Sequence, residues 1–384
     1  MKLCCTQDAL AEALATVGRV VPTRSSLPVL ANVLLEAEPG DGLRLVATNL
    51  ELTVARRVAA EVAVAGRTTV PAKLLADYVA LLDRGKQVSL SLAANATRLH
   101  LACERYTAQI ATLPADDFPP TPVVDAADVH LELDGAALRQ AIEQVVFAAA
   151  PDESRPVLAG ALLRVEAGTL TLAAADGYRM AVRTIDLAET TTSATWIVPA
   201  RTLRELARSL PAAPGLPITL RGTASNHQLH VTLPGLELTS RLIDGQFPDF
   251  ARIIPRASAT TVIVGTAELL RATRAASVFA CDNAHVVRLA CSPARDDGTP
   301  ALGRVLVTAA SAEMGDNAGH LDASVQGEAG QIALNGTYLR DALEALPSPQ
   351  VGVQFSESQH ACALRPIGEL EAAYLQLIMP VRGR

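Results

Sequence analysis

The residues that could carry out chemistry in this chain are few and widely spaced. A phosphate-binding loop needs glycine upstream of a Lys-Ser or Lys-Thr pair. The nearest match, RGK at 84–86, lacks both that glycine and the hydroxyl residue, so it predicts a turn. No G-x-S-x-G nucleophile motif occurs, and the acidic pairs at 116–117 and 296–297 are flanked by turn-forming residues, typical of loop charges. The linear sequence therefore offers no recognisable catalytic set.

The cysteines and histidines do not form a metal-ligand pattern either. His227 and His230 lie three apart in an alternating segment, which puts their side chains on opposite faces and predicts a solvated strand. We therefore expect no metal, no cofactor and no disulfide framework, and a reducing, cytoplasmic environment. The six cysteines are scattered without any C-x-x-C spacing: Cys4, Cys5, Cys103, Cys281, Cys291 and Cys362.

Composition limits the class of protein. Of 384 residues, 49% are apolar and 19% charged, which excludes a disordered or collagen-like chain. The formal net charge of −7 argues against a surface that attracts nucleic acid on all sides, although a local basic face remains compatible with it. No apolar run approaches the roughly 18 residues of a membrane span, so we expect no membrane association.

The sequence repeats itself at about one third of its length, which predicts three copies of one unit. The final third is more divergent, but 265–280 resembles 134–149, and 335–346 occupies the place of 70–82 and 198–210. We place the borders near residues 126 and 255, giving domains 1–126, 127–255 and 256–384. Three pairs of segments lie about 128 residues apart: VPAKLL (70–75) with VPARTL (198–203), ATNLELTVARRV (47–58) with AADGYRMAVRTI (174–185), and LPADDFPP (113–120) with LIDGQFPDF (242–250).

Each unit combines two kinds of hydrophobic period. Apolar residues at helical spacing, as in Leu138, Ala141 and Ile142, predict amphipathic helices. Alternating apolar residues, as at 43–47, 99–103 and 229–233, predict half-buried antiparallel strands. The fold class is therefore α+β, with two helices and several short strands in each unit. Six helices are predicted to start near Thr6, Pro71, Asp134, Pro199, Thr266 and Asn335.

These features together resemble the bacterial DNA sliding clamps, the beta subunits of DNA polymerase III. The resemblance rests on the repeat, the two VPA[KR] helix entries, DGYRM at 176–180, DGQFPDF at 244–250 and the ending LIMPVR at 377–382, and it covers the whole chain. It implies three clamp domains per chain and a head-to-tail ring dimer, with helices lining the channel and sheets outside. It also implies a non-catalytic processivity factor that encircles duplex DNA and tethers the replicative polymerase.

The resemblance implies a basic channel. A tether that slides needs phosphate contacts without base reading. Arg24 and Arg201 match basic positions of the family, and the others are inferred from their place on the predicted helices or adjoining loops. An ordinary solvated helix face is the alternative for each of these, since acidic residues share the same helices. The candidates are Arg24, Lys73, Arg139, Arg201, Arg204, Arg208, Arg271, Arg274 and Arg340.

It further implies an apolar cleft between the second and third domains that takes short peptides of partner proteins. Apolar anchors with an arginine rim suit a small peptide interface. For 377–381 a plain terminal core strand is the alternative, which Pro380 weakens because proline ends ladder pairing. The apolar positions are Leu158, Ala175, Gly177, Tyr178, Met180, Pro248, Ile253, Leu377, Ile378, Met379, Pro380 and Val381. The edge positions are Arg155, Arg179, Arg252 and Arg382.

Ring closure would join the first domain of one chain to the third domain of the other. By position, one side would comprise Arg98, Arg105 and Ile110, and the other Val278, Phe279, Glu313 and Asp316. The implied partners are double-stranded DNA, the polymerase alpha subunit, the clamp loader, other polymerases and repair proteins carrying short clamp-binding peptides, and a second copy. The implied location is the cytoplasm, at the nucleoid.

Two other readings remain open from the sequence alone. A repeat-built enzyme could assemble its active site across domains and leave no linear motif. A clamp-like paralogue could bind partner proteins without encircling DNA.

Overall fold

Helices and strands follow one another in the same order three times along the chain of this computed structural model. It describes residues 1–94, 96–121, 129–152, 154–187, 193–223, 227–255, 257–280, 285–294, 303–313, 315–356 and 360–381. The helices of this part are α1 (Gln7–Gly18), α2 (Ala72–Ala80), α3 (Gly135–Val145), α4 (Ala200–Ser209), α5 (Thr266–Phe279) and α6 (Gly336–Glu344). Each begins within one residue of its predicted start.

Twenty-five strands accompany the helices in the described residues. In the first copy they are β1 (Lys2–Thr6), β2 (Asn32–Glu38), β3 (Gly42–Thr48), β4 (Leu52–Val58), β5 (Ala60–Val64), β6 (Gly66–Pro71), β7 (Gln87–Ser91), β8 (Arg98–Cys103) and β9 (Tyr106–Ala111). In the second they are β10 (Val129–Asp134), β11 (Gly160–Glu166), β12 (Thr169–Ala175), β13 (Arg179–Asp186), β14 (Ala194–Pro199), β15 (Pro217–Thr223), β16 (Gln228–Leu233) and β17 (Leu236–Arg241). In the third they are β18 (Thr260–Gly265), β19 (Val286–Ser292), β20 (Gly303–Ser311), β21 (Gly315–Gly327), β22 (Gly330–Asn335), β23 (Gln350–Phe355), β24 (Cys362–Pro366) and β25 (Tyr374–Ile378).

One copy consists of a strand, a helix, four strands, a second helix and three strands. The first copy has one strand more, because β4 and β5 are separated at Ala59 where β13 and β21 run without a break. This order confirms the α+β repeat predicted from the sequence. The domain borders stay a prediction, since residue 126 lies outside the described residues. No helix of the described residues is both long and apolar enough to cross a membrane.

By its internal contacts the chain divides into two compact units. The first comprises residues 1–136 and 208–242. It contains a five-stranded sheet in the order β5-β1-β7-β8-β9 and an eight-stranded sheet in the order β10-β15-β16-β17-β4-β3-β2-β6. The eight-stranded sheet is continuous because β17, the last strand of the second copy, pairs antiparallel with β4 of the first copy, from Leu236↔Arg56 to Ser240↔Leu52.

The second unit comprises residues 137–207 and 243–384. It holds one sheet in the order β14-β11-β12-β13-β25-β24-β23-β18-β21-β20-β19-β22. Here β25, the last strand of the third copy, pairs antiparallel with β13 of the second copy, from Arg179↔Ile378 to Arg183↔Tyr374. The last strand of each of these two copies thus extends a sheet of the preceding copy.

Both faces of β25 are buried, and they differ in chemistry. Leu375 and Leu377 belong to an apolar cluster on one face. On the other face the Tyr374 hydroxyl donates to the carbonyl oxygen of Gln144 in α3 at 2.7 Å, and Gln376 Nε2 donates to the carbonyl oxygen of Ala342 in α6 at 2.9 Å. Burial raises the pKa of Tyr374 well above that of an exposed tyrosine. The strand is therefore held between two helices and an apolar layer.

Replacing Tyr374 with Phe should destabilise the chain. The change leaves the buried carbonyl of Gln144 without its partner, which costs about 1.5 kcal/mol. Denaturant titration of the full chain measures the free energy of unfolding. Tyr178→Phe is the matched control, because Tyr178 is 61% exposed and its replacement should change the value by less than about 0.5 kcal/mol. Equal effects of the two variants would contradict this assignment.

Candidate functional site

The loop between β12 and β13 meets the end of β25. The backbone N–H of Met379 donates to the carbonyl oxygen of Tyr178 at 2.8 Å and continues the β13·β25 ladder by one bond. Val381 N–H donates to the carbonyl oxygen of Ala333 in β22 at 2.8 Å. The pairing of β13 with β25 thereby brings two sequence-predicted parts of the cleft together.

An apolar cluster lies beneath this meeting point. Residues alternate along β13, and Arg179 and Arg183 reach α6 and α3, so Met180 and Val182 lie on the opposite face of the sheet. Ala175, Phe247 and Ile254 pack against the cluster. Its buried members are Leu162, Ala173, Met180, Val182, Phe250, Ala361, Ala363, Leu375 and Leu377.

Large apolar side chains stay exposed around this cluster. Tyr178 is 61% exposed, Ile253 48% and Met379 38%. Exposed apolar groups gathered near an apolar cluster mark surfaces that bind partners. The sequence placed all three of these residues in the cleft.

The remaining cleft candidates divide by exposure. Pro248 is exposed, while Leu158, Pro380 and Val381 are partly exposed. Leu377 and Ile378 are only 2% and 1% exposed, so the chain itself covers their side chains, as the core-strand alternative holds for these two positions.

The arginines assigned to the cleft edges have different surroundings. Arg155 is exposed, and its side chain lies beside Gly177. A Cβ atom added at Gly177 would be 3.2 Å from Arg155 Nη1. The side chain of Arg252 is 86% exposed and pairs with Asp249 at 2.9 Å. Arg382 lies outside the described residues.

The loop at 176–179 is built around a carboxylate. Asp176 Oδ1 accepts from the backbone N–H of Tyr178 at 2.8 Å and of Arg179 at 2.9 Å. Gly177 adopts a φ of +95°, which an L side chain would strain. The Asp-Gly pair therefore fixes the turn that presents Tyr178 to solvent.

Arg179 supports this loop from below. Its side chain is 13% exposed, and its guanidinium pairs with Asp176 at 3.0 Å and with Asp341 of α6 at 2.8 Å. The same group lies 4.5 Å from the ring centroid of Tyr338 and 5.5 Å from that of Phe147. The sequence assigned Arg179 to the cleft edge, whereas its charge is used within the chain. The sequence carries no signal for Asp341, which lies 162 residues away.

Eight of the nine basic DNA-contact candidates fall into three groups by their contacts, and the ninth, Arg208, also has an interaction partner. No described carboxylate lies within 4.0 Å of Arg24, Arg201 or Arg271, all of which are exposed. Arg204 donates to the carbonyl oxygen of Val146 at 3.2 Å. Four others pair with carboxylates: Lys73–Asp77 (2.7 Å), Arg139–Glu143 (3.0 Å), Arg274–Glu344 (2.8 Å) and Arg340–Asp341 (2.9 Å).

Helix α4 carries three arginines on one exposed face, with Glu205 among them. Arg201, Arg204 and Arg208 are spaced three and four residues apart and are all exposed, while Leu203 and Leu206 are buried. The Lys73–Asp77 and Arg274–Glu344 pairs on other helices are exposed, and such pairs contribute only about 0–1 kcal/mol. A phosphate could therefore replace the carboxylate partner at little cost.

The candidates for ring closure lie on two strand edges and one helix. Arg98 and Arg105 are exposed beside β9, whereas Ile110 is 4% exposed and covered by its own chain. Tyr106, which the sequence analysis did not single out, offers the larger exposed surface on this strand at 54%.

On the other side, Val278 of α5 is 57% exposed, and Phe279 is partly exposed. Glu313 and Asp316, at the start of β21, are exposed.

Comparison with known proteins agrees with this geometry. Models of the DNA polymerase III beta subunit match three consecutive pieces: the N-terminal domain over residues 1–122, the central domain over 132–249 and the C-terminal domain over 251–382. The chain belongs to the DNA polymerase III beta subunit family. Members of this family are sliding clamps, processivity factors without a reaction of their own, so the alternative of a repeat-built enzyme is wrong.

Relatives cover the whole chain. The beta sliding clamp of Synechococcus elongatus is 33% identical, with 100% of both chains covered. That of Streptomyces coelicolor is 32% identical, with 100% of this chain and 99% of the relative covered.

Solved clamps have the same fold. The sliding clamp from Bacillus subtilis superimposes with a TM-score of 0.91 at 25% identity, with 100% of both chains covered. A clamp from Pseudomonas aeruginosa, solved bound to griselimycin, gives a TM-score of 0.91 at 28% identity with the same coverage.

Replacing Arg179 with Ala should loosen the 176–179 loop. The variant leaves the buried Asp176 without its cation, a loss of about 3 kcal/mol, whereas Asp341 keeps its ion pair with Arg340. Hydrogen exchange of the backbone amides at positions 178 and 179 should accelerate at least about tenfold in the variant. Arg252→Ala removes an exposed pair and serves as the control. Unchanged protection in the Arg179 variant would show that the Asp-Gly turn holds the loop by itself.

Proposed function

We propose that this sliding clamp closes as a head-to-tail dimer around duplex DNA and holds its partners through the cleft beside Met379. The observation that carries the cleft is the group of Tyr178, Ile253 and Met379, exposed around a buried apolar cluster. The domains proposed for the ring are 1–126, 127–255 and 256–384, which the three matched pieces support.

Two unpaired strand edges support the closure. Strand β9 pairs only with β8 within its sheet. In the described residues, β21 pairs with β20 over 315–323 and with β18 over 324–327, so the other edge of 315–323 has no partner strand. Both edges remain open after β17 has paired with β4 and β25 with β13. An exposed edge of unpaired N–H and C=O groups is satisfied by adding another strand.

We infer that β9 of one chain pairs antiparallel with residues 315–323 of the second chain in the dimer. The inference follows the two junctions within the chain, where the last strand of a copy joins the corresponding strand of the preceding copy. The charges agree, since Arg98 and Arg105 flank one edge, and Glu313, Asp316 and Asp322 flank the other. Two such contacts related by a twofold axis close a ring.

Two measurements test the ring: the mass of the protein in solution, and the effect of a Tyr106 substitution on the dimer dissociation constant. Light scattering over a dilution series should give a species of about twice 40.2 kDa. Tyr106→Glu places an unpaired charge in the contact and should raise the dimer dissociation constant on the order of 100-fold. Leu81→Glu, at a side chain 83% exposed, is the control and should leave the mass unchanged. A wild-type monomer would favour the paralogue that does not encircle DNA.

Within the ring, we propose that Arg24, Arg201 and Arg271 provide the main phosphate attraction, and that the exposed arginines Arg204 and Arg208 of α4 add to it. Lys73, Arg139, Arg274 and Arg340 contribute by exchanging a carboxylate partner for a phosphate. Contacts of this kind carry no base specificity and allow sliding. Clamps loaded on nicked circular DNA should remain bound at high salt and leave after the circle is cut. Release that does not depend on cutting would contradict encirclement.

The cleft is proposed to take short apolar peptides of the polymerase alpha subunit, the clamp loader and other polymerases and repair proteins. The proposed location is the cytoplasm, at the nucleoid. Met379→Asp should weaken binding of a labelled apolar clamp-binding peptide by at least about tenfold, because a charge then occupies an apolar contact. Val64→Asp is a matched control, since Val64 is 51% exposed in the first unit. Equal affinity in both variants would refute this placement of the cleft.

A further inference from the structure

The eight-stranded sheet of the first unit carries a polar cavity of about 400 Å³. This volume lies within the range of about 300–1,000 Å³ that is usual for ligand sites. The polar side chains that line it include Arg44, Thr53, Arg221, His230, Glu237 and Thr239.

The cavity lies at a junction built like the one at the peptide cleft. Asn49 Oδ1 accepts from the N–H of Glu51 at 3.0 Å and of Leu52 at 2.8 Å, as Asp176 does for Tyr178 and Arg179. The loop between β3 and β4 therefore forms the same type of turn as the loop between β12 and β13.

The residue at the end of the last strand also donates a backbone hydrogen bond to this loop at both junctions. Arg241 N–H donates to the carbonyl oxygen of Glu51 at 2.8 Å, and Met379 N–H donates to that of Tyr178 at 2.8 Å. The backbone thus forms one type of junction twice, once in each unit.

The side chains at the two junctions differ in chemistry. Equivalent positions follow from the strand registers. The apolar cluster of the cleft is replaced by groups that donate or accept hydrogen bonds. The replacements are Thr53 for Met180, Thr239 for Leu377, His230 for Ala363, Arg221 for Gln354 and Arg241 for Met379.

The cavity lies on the sheet face away from α1. Arg56 of β4 pairs with Glu12 of α1 at 3.1 Å, so Thr53 and Ala55, which alternate with it, point to the other face. Among the phosphate candidates, Arg24 follows α1 in the chain and Lys73 lies on α2, which packs against α1. The cavity is therefore separated from them by the sheet, and its ligand is not the DNA of the channel.

The charges in the cavity are unevenly distributed. Arg44 is held by Glu36 at 2.9 Å and Glu237 at 3.2 Å. Within the described residues, Arg221 has no ion pair or hydrogen bond through its side chain. The end of the cavity at β15 and β16 therefore carries a positive charge that is not engaged in an ion pair.

His230 adds an unfilled hydrogen bond beside this charge. The sequence predicted a solvated histidine, but the side chain is 2% exposed, because β15 and β17 flank β16 on both sides. Its Nδ1 lies 2.8 Å from Thr239 Oγ1, whereas its Nε2 has no partner. Burial, and then the charge of Arg221, lower the pKa of His230, so the imidazole is neutral at neutral pH.

We propose that this cavity is a second peptide site, which takes an acidic side chain of a partner protein's linear segment. The carboxylate pairs with Arg221 and bonds to His230 or to the hydroxyls of Thr53 and Thr239. The repeated junction supplies the same backbone frame as the cleft, and its polar lining selects an acidic peptide where the cleft selects an apolar one. The proposal does not depend on ring closure or on the function of the cleft.

Titration calorimetry of the full-length protein tests the site. The probe is the capped peptide Gly-Ser-Asp-Asp-Ser-Gly, with Gly-Ser-Asn-Asn-Ser-Gly as its neutral counterpart. Arg221→Gln should weaken binding of the acidic peptide about tenfold, the effect of one charge-assisted hydrogen bond. Arg288→Gln removes an exposed arginine of β19, outside the cavity, and should leave the affinity unchanged. Met379→Asp should also leave it unchanged.

Several results would overturn the proposal. They are no saturable binding, equal binding of the neutral peptide, unchanged affinity in the Arg221 variant, or loss of binding in the Met379 variant, which would move the peptide to the cleft. Displacement by inorganic phosphate at the concentration of peptide used would reassign the cavity to a free oxyanion. The dimer mass of each variant separates these outcomes from a failure of the ring.

Discussion

The backbone N–H and C=O groups at the open edges of the strands need hydrogen-bond partners, and the rest of this structure depends on that constraint. Each copy of the fold ends in a strand whose outer edge carries backbone donors and acceptors, and these must be paired or remain open to aggregation. Within the chain, β17 meets this need on β4, and β25 meets it on β13. The same need at β9 and at the start of β21 gives a physical reason for a chain of three copies to associate with a second chain.

The junctions so formed also provide the binding surfaces. A last strand that adds to the preceding copy brings its terminal residues beside an Asx turn, and that turn lifts one or two side chains out of the sheet. At β13·β25 the side chains beneath the turn are apolar, whereas at β4·β17 they are hydroxyls, an imidazole and an arginine. The same backbone arrangement thus presents an apolar surface at one junction and a polar surface at the other. This is possible because side chains on a sheet face can change without disturbing the hydrogen bonds between the strands.

Electrostatics is arranged differently at the cleft and on the helices. Arg179 is nearly buried and bound to two carboxylates and two rings, so it holds the cleft loop in place. The arginines of α4 are exposed and project from one face, with the apolar residues of the helix buried. A buried paired charge resists rearrangement, whereas exposed charges exchange partners at little cost. These properties suit a fixed peptide site and a sliding contact, respectively.

The sequence by itself determined the elements and their repetition. Helix starts near Thr6, Pro71 and Asn335, and strands such as 99–103, follow from local periodicity and turn residues, which act over a few positions. The resemblance to the sliding clamps placed Tyr178 and Met379 in the cleft, and both side chains are exposed. Only the tertiary structure decided which edges pair, that Arg179 reaches Asp341, that Leu377 is covered while Met379 is not, and that His230 is buried. These outcomes depend on contacts between residues far apart in the chain, for which a single sequence carries no local signal.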